Sequence, residues 1–480
     1  MQPIASEERG IALNKSKMSL VLTLLLAFAL FLSACANDTD ATEAPAANDT
    51  DAAVTEAGDT EADADDTDVA DEPAGDLTGE ITVQAEEGWM EYYQAAADRV
   101  TAANPDATIT LIESGAFDML DVIDGTGVTN PDVADVFAIP ADRIYGLSEN
   151  DALAAVDSAR LAEAIGGWDN FDEGIGGNFN IDGEYLAFPY NIETLIVFAN
   201  RANAEAAGID VSQPVEITEI GSHNEVLLPF FDAWFGVALT NSADIELLGE
   251  QDGGGYYSDM TKEWSELPAE QQAAMQALYD YWQKHNEAGT NLFDADAGWG
   301  YIDDAFTSGN DGVFRLAGPW ETGAVQALTN DGADLEILPI THITAAGNPL
   351  IHWQGGWGLG INARVEGDQE KMDLAHAMIQ EIVNPEHAVE LFKATGKILE
   401  NVDPAEYENS DLDETDKLVI AATIDSYEQA PARPLFSQWG GVWDTWKNAV
   451  LSWNAQRPAT VEDAYAQIKA SFDAMMANVQ

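Results

Sequence analysis

Tryptophans in glycine- and proline-rich segments are the residues of this chain best suited to recognition chemistry. The chain has 13 tryptophans, and those in such segments are Trp320 after Gly318-Pro319, Trp353 and Trp357 around Gln354-Gly355-Gly356, and Trp439, Trp443 and Trp446 after Pro434. Core packing is the ordinary role of a tryptophan, but loops lie at the surface and do not easily bury so large a ring. A flat aromatic face suits the apolar face of a pyranose ring, while nearby polar side chains can bind its hydroxyls. These segments therefore favour a sugar site.

Motifs for catalysis and for metal or cofactor binding do not occur in the sequence. The six histidines are scattered without His-Glu-x-x-His spacing, and one cysteine cannot complete a zinc site. There is no Gly-x-Ser-x-Gly elbow, phosphate-binding glycine loop or dinucleotide fingerprint. A glycosidase needs only two facing carboxylates, which 86 acidic residues could supply by chance, so that alternative stays open. We otherwise expect a binding protein with no catalytic residue, metal or cofactor.

One acidic loop resembles the start of a calcium site. Asp294-Ala-Asp296 begins like an EF-hand loop, but the sixth position is Trp299 where glycine is required, and the twelfth is Ala305 where a bidentate glutamate is required. We expect an acidic loop that leads into a helix over Asp303–Ser308. Whether the two aspartates bind a cation stays open at this point.

Acidic residues far outnumber basic ones. The chain has 86 Asp and Glu against 19 Lys and Arg, for a net charge of −67. Such a field repels phosphate backbones and anionic lipid headgroups, which excludes nucleic acids and membrane surfaces as direct partners. Solubility in high salt or on an exposed cell surface explains the acidity, and binding of cations is the alternative interpretation.

The N-terminal segment has the features of a lipoprotein signal. Two lysines precede the apolar run 19–32, which leads into Leu-Ser-Ala-Cys35 and the chain's one cysteine. A positive start, about 14 apolar residues and small residues at the end are typical of a secretory signal and too short for a spanning helix. The last four residues are also similar to a bacterial lipobox. We predict a signal peptide over residues 1–35 with lipid attachment at Cys35; an ordinary signal with an incidental cysteine is the alternative.

Residues 36–80 differ in composition from everything after them. They contain mainly Ala, Asp, Glu, Thr, Asn and Pro, without an aromatic residue, lysine or arginine. Such a segment cannot bury enough apolar surface to offset its chain entropy. We predict a disordered acidic tether over 36–80.

From residue 81 the chain alternates short apolar strands with amphipathic helices. Strands are predicted at Ile81–Val83, Thr108–Ile112 and Asp135–Ala138, and helices at about Trp89–Ala103, Glu270–His285, Asp373–Val383, Pro385–Thr395, Trp439–Ala455 and Val461–Ala477. The alternation indicates βαβ units and a parallel sheet, and a folded part of about 400 residues favours two lobes. Ligands of such sheets bind at the carboxyl ends of strands. That places the loops Glu86–Met90, Ser114–Phe117 and Ile139–Arg143 around a possible site.

Several motifs follow one another in the order expected of a known family. They are Pro131-Asp-Val-Ala-Asp-Val-Phe-Ala-Ile-Pro-Ala-Asp142-Arg143, Phe188-Pro189-Tyr190 before Thr194-Leu-Ile-Val-Phe-Ala-Asn200, Phe306-Thr-Ser-Gly309 before Ala317-Gly-Pro-Trp320, Trp357-Gly-Leu-Gly-Ile-Asn362, Asn384-Pro385-Glu386 and Thr460-Val-Glu-Asp-Ala464. From about Gly79 to the C-terminus, the chain resembles the maltose-binding-protein-like family. These are the extracellular solute-binding proteins of sugar ABC importers.

The resemblance implies ligand-binding residues on both sides of a cleft. Asp142 and Arg143 would hydrogen-bond sugar hydroxyls from the first lobe. Trp320 and Trp443 would stack on sugar rings from the second lobe, where Phe230 matches another aromatic of the family.

One position departs from the family's pattern. The aromatic residue that precedes the Asp-Arg pair in the family is Ile139 here, which argues against binding of long maltodextrins. Trp89 or Trp357 could supply a replacement platform. A surface ion pair at the start of a helix is the alternative interpretation of Asp142-Arg143.

The resemblance also implies the fold and its division along the chain. It is an α/β, two-lobed periplasmic-binding-protein-like fold with three interlobe crossovers and a ligand cleft between the lobes. We expect the N-lobe to contain residues 81–193 and 335–383, and the C-lobe residues 194–334 and 384–480.

Function follows from the same resemblance. We expect a monomer, lipid-anchored at the outer face of the cell membrane, that captures a carbohydrate and delivers it to the permease subunits of an ABC transporter. Closure of the lobes on the ligand would be the signal for delivery. Two alternatives stay open: the same fold binding a polyamine between carboxylates and aromatic rings, and a tethered glycosidase.

Overall fold

The computed structural model describes residues 77–169, 171–251 and 253–479. The predicted signal peptide with Cys35, and all but the last four residues of the predicted tether, lie outside the described residues. The first strand begins at Gly79, two residues before the expected start of the folded part. Within the described ranges, every helix is too short or too polar to cross a bilayer.

The strands include all three that the sequence predicts. In chain order they are β1 Gly79–Ala85, β2 Ala107–Glu113, β3 Val136–Pro140, β4 Leu153–Ala154, β5 Asn180–Ile181, β6 Glu184–Tyr185, β7 Ala187–Glu193, β8 Ile196–Asn200, β9 Val215–Glu216, β10 Val226–Leu227, β11 Gly249–Glu250, β12 Tyr256–Tyr257, β13 Phe314–Ala317, β14 Leu335–Pro339, β15 Ile343–Ala345, β16 Asn348–Pro349 and β17 Gly355–Asn362.

The helices likewise include the six predicted ones, with ends that differ by a few residues. In chain order they are α1 Met90–Ala103, α2 Ala116–Thr126, α3 Ile144–Glu149, α4 Ser158–Ala164, α5 Arg201–Ala207, α6 Ala233–Asn241, α7 Ala269–Ala288, α8 Gly298–Phe306, α9 Thr322–Leu328, α10 Gln369–Ile382, α11 Ala388–Thr395, α12 Pro404–Glu408, α13 Glu414–Glu428, α14 Gly440–Gln456 and α15 Val461–Met476.

One helix begins earlier than predicted. The acidic loop was expected to lead into a helix at Asp303, but α8 starts at Gly298. The Asp294 carboxylate accepts hydrogen bonds from the backbone N–H groups of Asp296 and Ala297 at 3.1 and 2.9 Å. An aspartate that caps neighbouring N–H groups in this way starts a helix close behind it.

A six-stranded sheet forms the centre of the first lobe. Its order is β2-β1-β3-β17-β4, with β7 also paired to β17. β1 runs parallel to β2 and β3, whereas β17 runs antiparallel to β3 and β7. All five residues of β3 are buried, as expected of a strand covered on both faces. Helices α1 and α10 pack together, α1 against β2 and α10 against β1, and α2 packs against β3.

A four-stranded sheet forms the centre of the second lobe. Its order is β10-β13-β8-β14, with β8 antiparallel to both β13 and β14. Every residue of β8 and β13 is buried. Helices α6, α7, α14 and α15 pack on one another around this sheet.

The chain passes between the two sheets three times. β7 ends at Glu193 in the first sheet and β8 begins at Ile196 in the second. β14 leaves the second sheet at Pro339, and β17 joins the first at Gly355. The third passage follows α11, which packs against α1, and precedes α13, which packs against β14.

Two of the expected lobe boundaries differ from the observed pairing. β14, at residues 335–339, pairs with β8 in the second sheet, although 335–383 was assigned to the first lobe. Helix α11 buries Leu391 and Phe392 against the first lobe, although 384–480 was assigned to the second. Strand pairing and helix packing join residues that are distant in the chain, so sequence position alone could not place these two elements.

Candidate functional site

A cavity of about 780 Å³ lies between the two lobes. This volume is within the range of roughly 300–1,000 Å³ that small-molecule sites occupy. The aromatic residues that line it are Phe117, Trp234, Trp320, Trp357, Phe436, Trp439 and Trp443, and the charged ones are Asp142, Arg143, Glu193, Lys397 and Arg433. Both lobes contribute, so movement of one lobe against the other would open or close the cavity.

Asp142 and Arg143 reach the cavity from the end of β3. The strand is buried to Pro140, and a single turn of 3-10 helix, Ala141–Arg143, follows it directly. This is the carboxyl end of a strand, where open α/β sheets bind their ligands. The two side chains do not pair with each other, because Arg143 binds the Asp124 carboxylate at 2.6 Å and Asp142 turns to the opposite lobe.

Trp357 stands beside that turn because β17 pairs with β3, with Trp357 opposite Pro140. The glycines around it allow this close packing. A Cβ atom added at Gly356 would lie 2.0 Å from the Ile175 Cδ1 atom and 2.4 Å from the Asn191 carbonyl oxygen. The indole N–H of Trp357 donates to the Glu193 carboxylate at 2.7 Å. The ring is therefore fixed in orientation at the edge of the first sheet.

Trp320 extends into the cavity from the second lobe. It lies in a short 3-10 helix that begins at Pro319, directly after the buried strand β13. A Cβ atom at Gly318 would lie 2.1 Å from the Trp320 ring, so the ring packs on glycine backbone. The residue stays 51% exposed, which leaves the ring available to a ligand.

Trp443 and Trp439 close the second-lobe side. Trp443 lies in the first turn of α14, and Trp439 ends the 3-10 turn before it. Their ring centres are 4.6 Å apart in an edge-to-face arrangement, which aromatic pairs favour. The sequence analysis named Trp443 as a ligand residue and noted Trp439 only as part of a cluster.

Two predicted ligand residues do not line the cavity. Phe230 is fully buried against Tyr281, and its backbone carbonyl accepts a hydrogen bond from the Trp446 indole at 2.8 Å. Trp89 is 7% exposed and packs against Tyr93 and Tyr190 behind the cavity wall. The first turn of α6 instead presents Trp234, four residues beyond Phe230.

Arg433 is a cavity residue that sequence reasoning missed. Its guanidinium lies 4.9, 5.6 and 5.8 Å from the ring centres of Trp234, Trp353 and Trp443. It binds the Asp142 carboxylate at 2.9 Å, an ion pair that connects the two lobes across the cleft. A planar guanidinium is suited to stacking on rings while it pairs with a carboxylate.

Lys397 is the second residue that sequence reasoning missed. Its Nζ atom lies 4.7, 5.3 and 5.9 Å from the ring centres of Trp357, Trp89 and Tyr190. Burial lowers the pKa of this ammonium, although the carboxylates of Glu193 and Glu86 act in the opposite direction. Trp89 thus contributes to the site indirectly, as a wall of the aromatic cage that holds Lys397.

The sequence contains a signal for Arg433 but none for Lys397. The chain has only 19 basic residues among 480, so a basic residue between tryptophan-containing segments is uncommon here. Arg433 lies between two prolines just before the Trp439–Trp443 segment. Lys397 has no comparable motif, and only the tertiary structure brings it beside Trp357.

The acidic loop at Asp294 shows no cation site. Among the described residues, no group of three or more His, Cys, Asp or Glu side chains is arranged to hold a metal ion. Asp294 is engaged in capping the turn before α8. The calcium-like resemblance is therefore explained by a local helix start.

One family of proteins matches most of the folded part. Its model, described as bacterial extracellular solute-binding protein, matches residues 95–402. A comparison with curated protein sequences gives no match.

Solved structures of the same fold cover nearly all of the described residues. The MalX protein of Streptococcus pneumoniae, in complex with maltopentaose, has 17% identity and a TM-score of 0.62, covering 82% of this chain and 99% of its own. The maltose-binding periplasmic protein MalE of Listeria monocytogenes, in complex with maltose, has 17% identity and a TM-score of 0.62. The match covers 84% of this chain and 99% of the MalE chain. The GacH receptor of Streptomyces glaucescens has 16% identity and a TM-score of 0.61, and the match covers 84% of this chain and 100% of the GacH chain. The predicted two-lobed α/β fold is confirmed.

Proposed function

Because the chain belongs to the bacterial extracellular solute-binding proteins, we propose that it captures a carbohydrate in the interlobe cavity and delivers it to the permease of an ABC transporter. Members of this family bind solutes outside the cell membrane, so the chain is an extracellular or periplasmic binding protein and not an enzyme. The carbohydrate ligand, the lipid anchor and the delivery to a permease are our proposals beyond the family assignment.

The observation that carries the proposal is the set of aromatic rings around the cavity. Seven of its lining residues are aromatic. Phe117 and Trp320, at 58% and 51% exposure, are two of the large apolar side chains that the described residues leave exposed. Phe117 belongs to the first lobe and Trp320 to the second. Rings that stay exposed inside a cavity lose contact with water when an apolar sugar face covers them.

Fixed polar groups complete the support for a sugar. Asp142 and Glu193 each contact one neighbouring side chain and keep further carboxylate lone pairs, and Arg143 has N–H groups beyond its pair with Asp124, all at the same cavity. Sugar hydroxyls both donate and accept, so a mixed set of acceptors and donors matches them. Similar structures were solved with maltopentaose and maltose, which is consistent with this ligand class.

The structure argues against a polyamine ligand. A cation bound between aromatic rings needs an empty aromatic cage and a free carboxylate. Here the two aromatic clusters beside the cavity are occupied by the protein's own Lys397 and Arg433. Asp142 is already paired with Arg433.

The same contacts argue against a glycosidase. Such an enzyme needs two carboxyl groups that flank the scissile bond and are free to exchange protons. The two acidic residues that line the cavity are each held by a neighbour, Asp142 by Arg433 and Glu193 by the Trp357 indole.

The location at the membrane is proposed from the N-terminal sequence. The Leu-Ser-Ala-Cys35 lipobox supplies the anchor, and the acidic residues 36–80 supply the tether. We propose that the protein works as an anchored monomer.

A ligand screen on the purified full chain tests the proposal. Isothermal calorimetry and thermal unfolding would compare neutral oligosaccharides, acidic oligosaccharides, spermidine and NaCl at equal ionic strength. We expect at least one saccharide to bind and to raise the melting temperature, because a ligand of the native state stabilises it. A shift with spermidine and none with any saccharide would contradict the proposal, as would release of reducing ends from an oligosaccharide.

A further inference from the structure

The side chains that line the cavity include more cations than carboxylates, although the chain as a whole is strongly acidic. The chain has a net charge of −67. The charged side chains that line the cavity are three cations, Arg143, Lys397 and Arg433, and two carboxylates, Asp142 and Glu193. Three positive and two negative side chains give the cavity lining a formal charge of +1. A site for a cationic solute would be expected to follow the chain's acidity, and this one departs from it.

The three cations are not equivalent. Arg143 is paired with Asp124 at 2.6 Å, and Arg433 is paired with Asp142 at 2.9 Å. Lys397 has no ion pair within 4.0 Å and no hydrogen bond from Nζ among the described residues; the contacts of its Nζ atom are with three aromatic rings. Lys397 is thus the cavity cation whose hydrogen-bond donors are left without a protein acceptor.

The carboxylates nearest Lys397 are committed to other groups. Glu193 accepts the indole N–H of Trp357 at 2.7 Å. Glu86 accepts the backbone N–H of Ala116 at 3.2 Å and lies outside the cavity lining. Burial lowers the pKa of the Lys397 ammonium, while these two carboxylates act in the opposite direction.

A ligand that covers Lys397 must satisfy it. Covering an ammonium with a neutral, apolar face removes its water and leaves the charge uncompensated, which is unfavourable. A ligand carboxylate would restore an acceptor and neutralise the charge at once. A uronate carries its carboxylate at the rim of the pyranose ring, so the ring can stack on an aromatic side chain while the carboxylate reaches the ammonium.

We infer that the cavity accepts an acidic saccharide, with a ring carboxylate paired to Lys397 and a pyranose face on the aromatic side chains. This inference rests on the proposed function, since it names the kind of carbohydrate that the same cavity binds. Nonspecific attraction does not explain such binding, because the net charge of the chain repels anions.

Calorimetry with two trisaccharides of equal length tests the inference. The purified full chain would be titrated with trigalacturonate and with maltotriose. We expect trigalacturonate to bind at least tenfold more tightly. Lys397→Met keeps an unbranched side chain that is one atom shorter and removes the charge. In this variant the ratio of the maltotriose dissociation constant to the trigalacturonate dissociation constant should fall by about tenfold or more.

Two further variants act as controls. Lys397→Arg keeps the charge and should keep the preference for the acidic sugar, even if Lys397→Met is poorly folded. Lys417→Met removes one positive charge from α13, away from the cavity lining, and should behave like the wild type.

The possible outcomes separate the two proposals. Equal or weaker binding of trigalacturonate than of maltotriose overturns the acidic-sugar inference and leaves the sugar-binding function standing. A preference that survives in Lys397→Met also overturns it. Absence of binding by every saccharide in the ligand screen overturns the proposed function itself.

Discussion

At the scale of single residues, exposure separates tryptophans that can bind a ligand from those that stabilise the core. Trp320 keeps half of its surface exposed because its ring packs on Gly318 at the rim of the cavity. Trp446, in the interior of α14, is fully buried and donates to the Phe230 carbonyl. Both are tryptophans near glycine or proline in the sequence, but only one is available to a ligand.

Trp320→Ala is expected to weaken sugar binding without unfolding the protein. Removing the ring deletes a stacking contact of about 1 kcal/mol and the apolar area that a sugar would cover. We expect the dissociation constant of the best ligand to rise about tenfold or more, with little change in melting temperature because the residue is exposed. Isothermal calorimetry and thermal unfolding measure the two effects.

The matched control for Trp320 is Leu418→Ala. Leu418 is 36% exposed and does not line the cavity, so its replacement should leave affinity unchanged. Equal affinity of Trp320→Ala and the wild type would show that the exposed ring is not part of the binding surface.

At the scale of elements, β17 determines the shape of the first-lobe wall. It lies between β3 and β7 and brings Trp357 beside the turn that holds Asp142. Its glycines let β7 and the 3-10 turn at Ile175 approach closely. The sequence analysis interpreted the run Gln354-Gly355-Gly356-Trp357 as a glycine-rich surface loop that carries tryptophans. Instead, most of it is a fully buried strand, because here glycine supplies space and not flexibility.

Gly356→Ala is expected to destabilise the protein. The added methyl group would lie 2.0 Å from the Ile175 side chain and 2.4 Å from a backbone oxygen that cannot easily move. Overpacking of this kind costs about 1–3 kcal/mol. We expect a lower melting temperature in thermal unfolding followed by circular dichroism.

Gly300→Ala serves as the comparison for this element. Gly300 lies within α8 with open space around it, and alanine favours a helix over glycine by about 1 kcal/mol. Its melting temperature should stay equal or rise. A Gly356→Ala variant as stable as the wild type would contradict the packing argument for β17.

At the scale of the whole molecule, the net charge and the N-terminal sequence have to be considered together. A chain with a net charge of −67 is repelled by anionic lipid headgroups. Electrostatic attraction therefore does not hold its folded part at a membrane. Two acyl chains on Cys35 would hold it there, since each buried methylene contributes about 0.8 kcal/mol.

Labelling with a radioactive fatty acid tests this proposal. The wild type should incorporate the label and stay with membranes after a 1 M NaCl wash, because an acyl anchor is not electrostatic. Cys35→Ser should lose the label, whereas the neighbouring change Ala36→Ser should keep it. Incorporation of label into Cys35→Ser would show that the lipid is attached elsewhere, and an unlabelled wild type would exclude the anchor.

The sequence by itself determined the class of fold, and five of its seven predicted ligand residues line the cavity. Alternating strands and helices predicted the α/β lobes, and the Asp142-Arg143 pair, Trp320, Trp357 and Trp443 all line the cavity. Family motifs and tryptophans near glycine or proline predicted these positions, and each lies directly after, or within, a strand or helix whose pattern is visible in the chain.

Only the tertiary structure decided which charges face the ligand and which aromatics are core. Arg433 and Lys397 reach the cavity through contacts with residues about 200 to 300 positions away in the chain, as their distances to Trp234 and Trp89 show. Phe230, which the family resemblance placed in the site, and Trp89, which was named as a replacement platform, are buried behind its wall. Burial and ion pairing depend on packing between distant segments, and packing of that kind leaves no local pattern in a sequence.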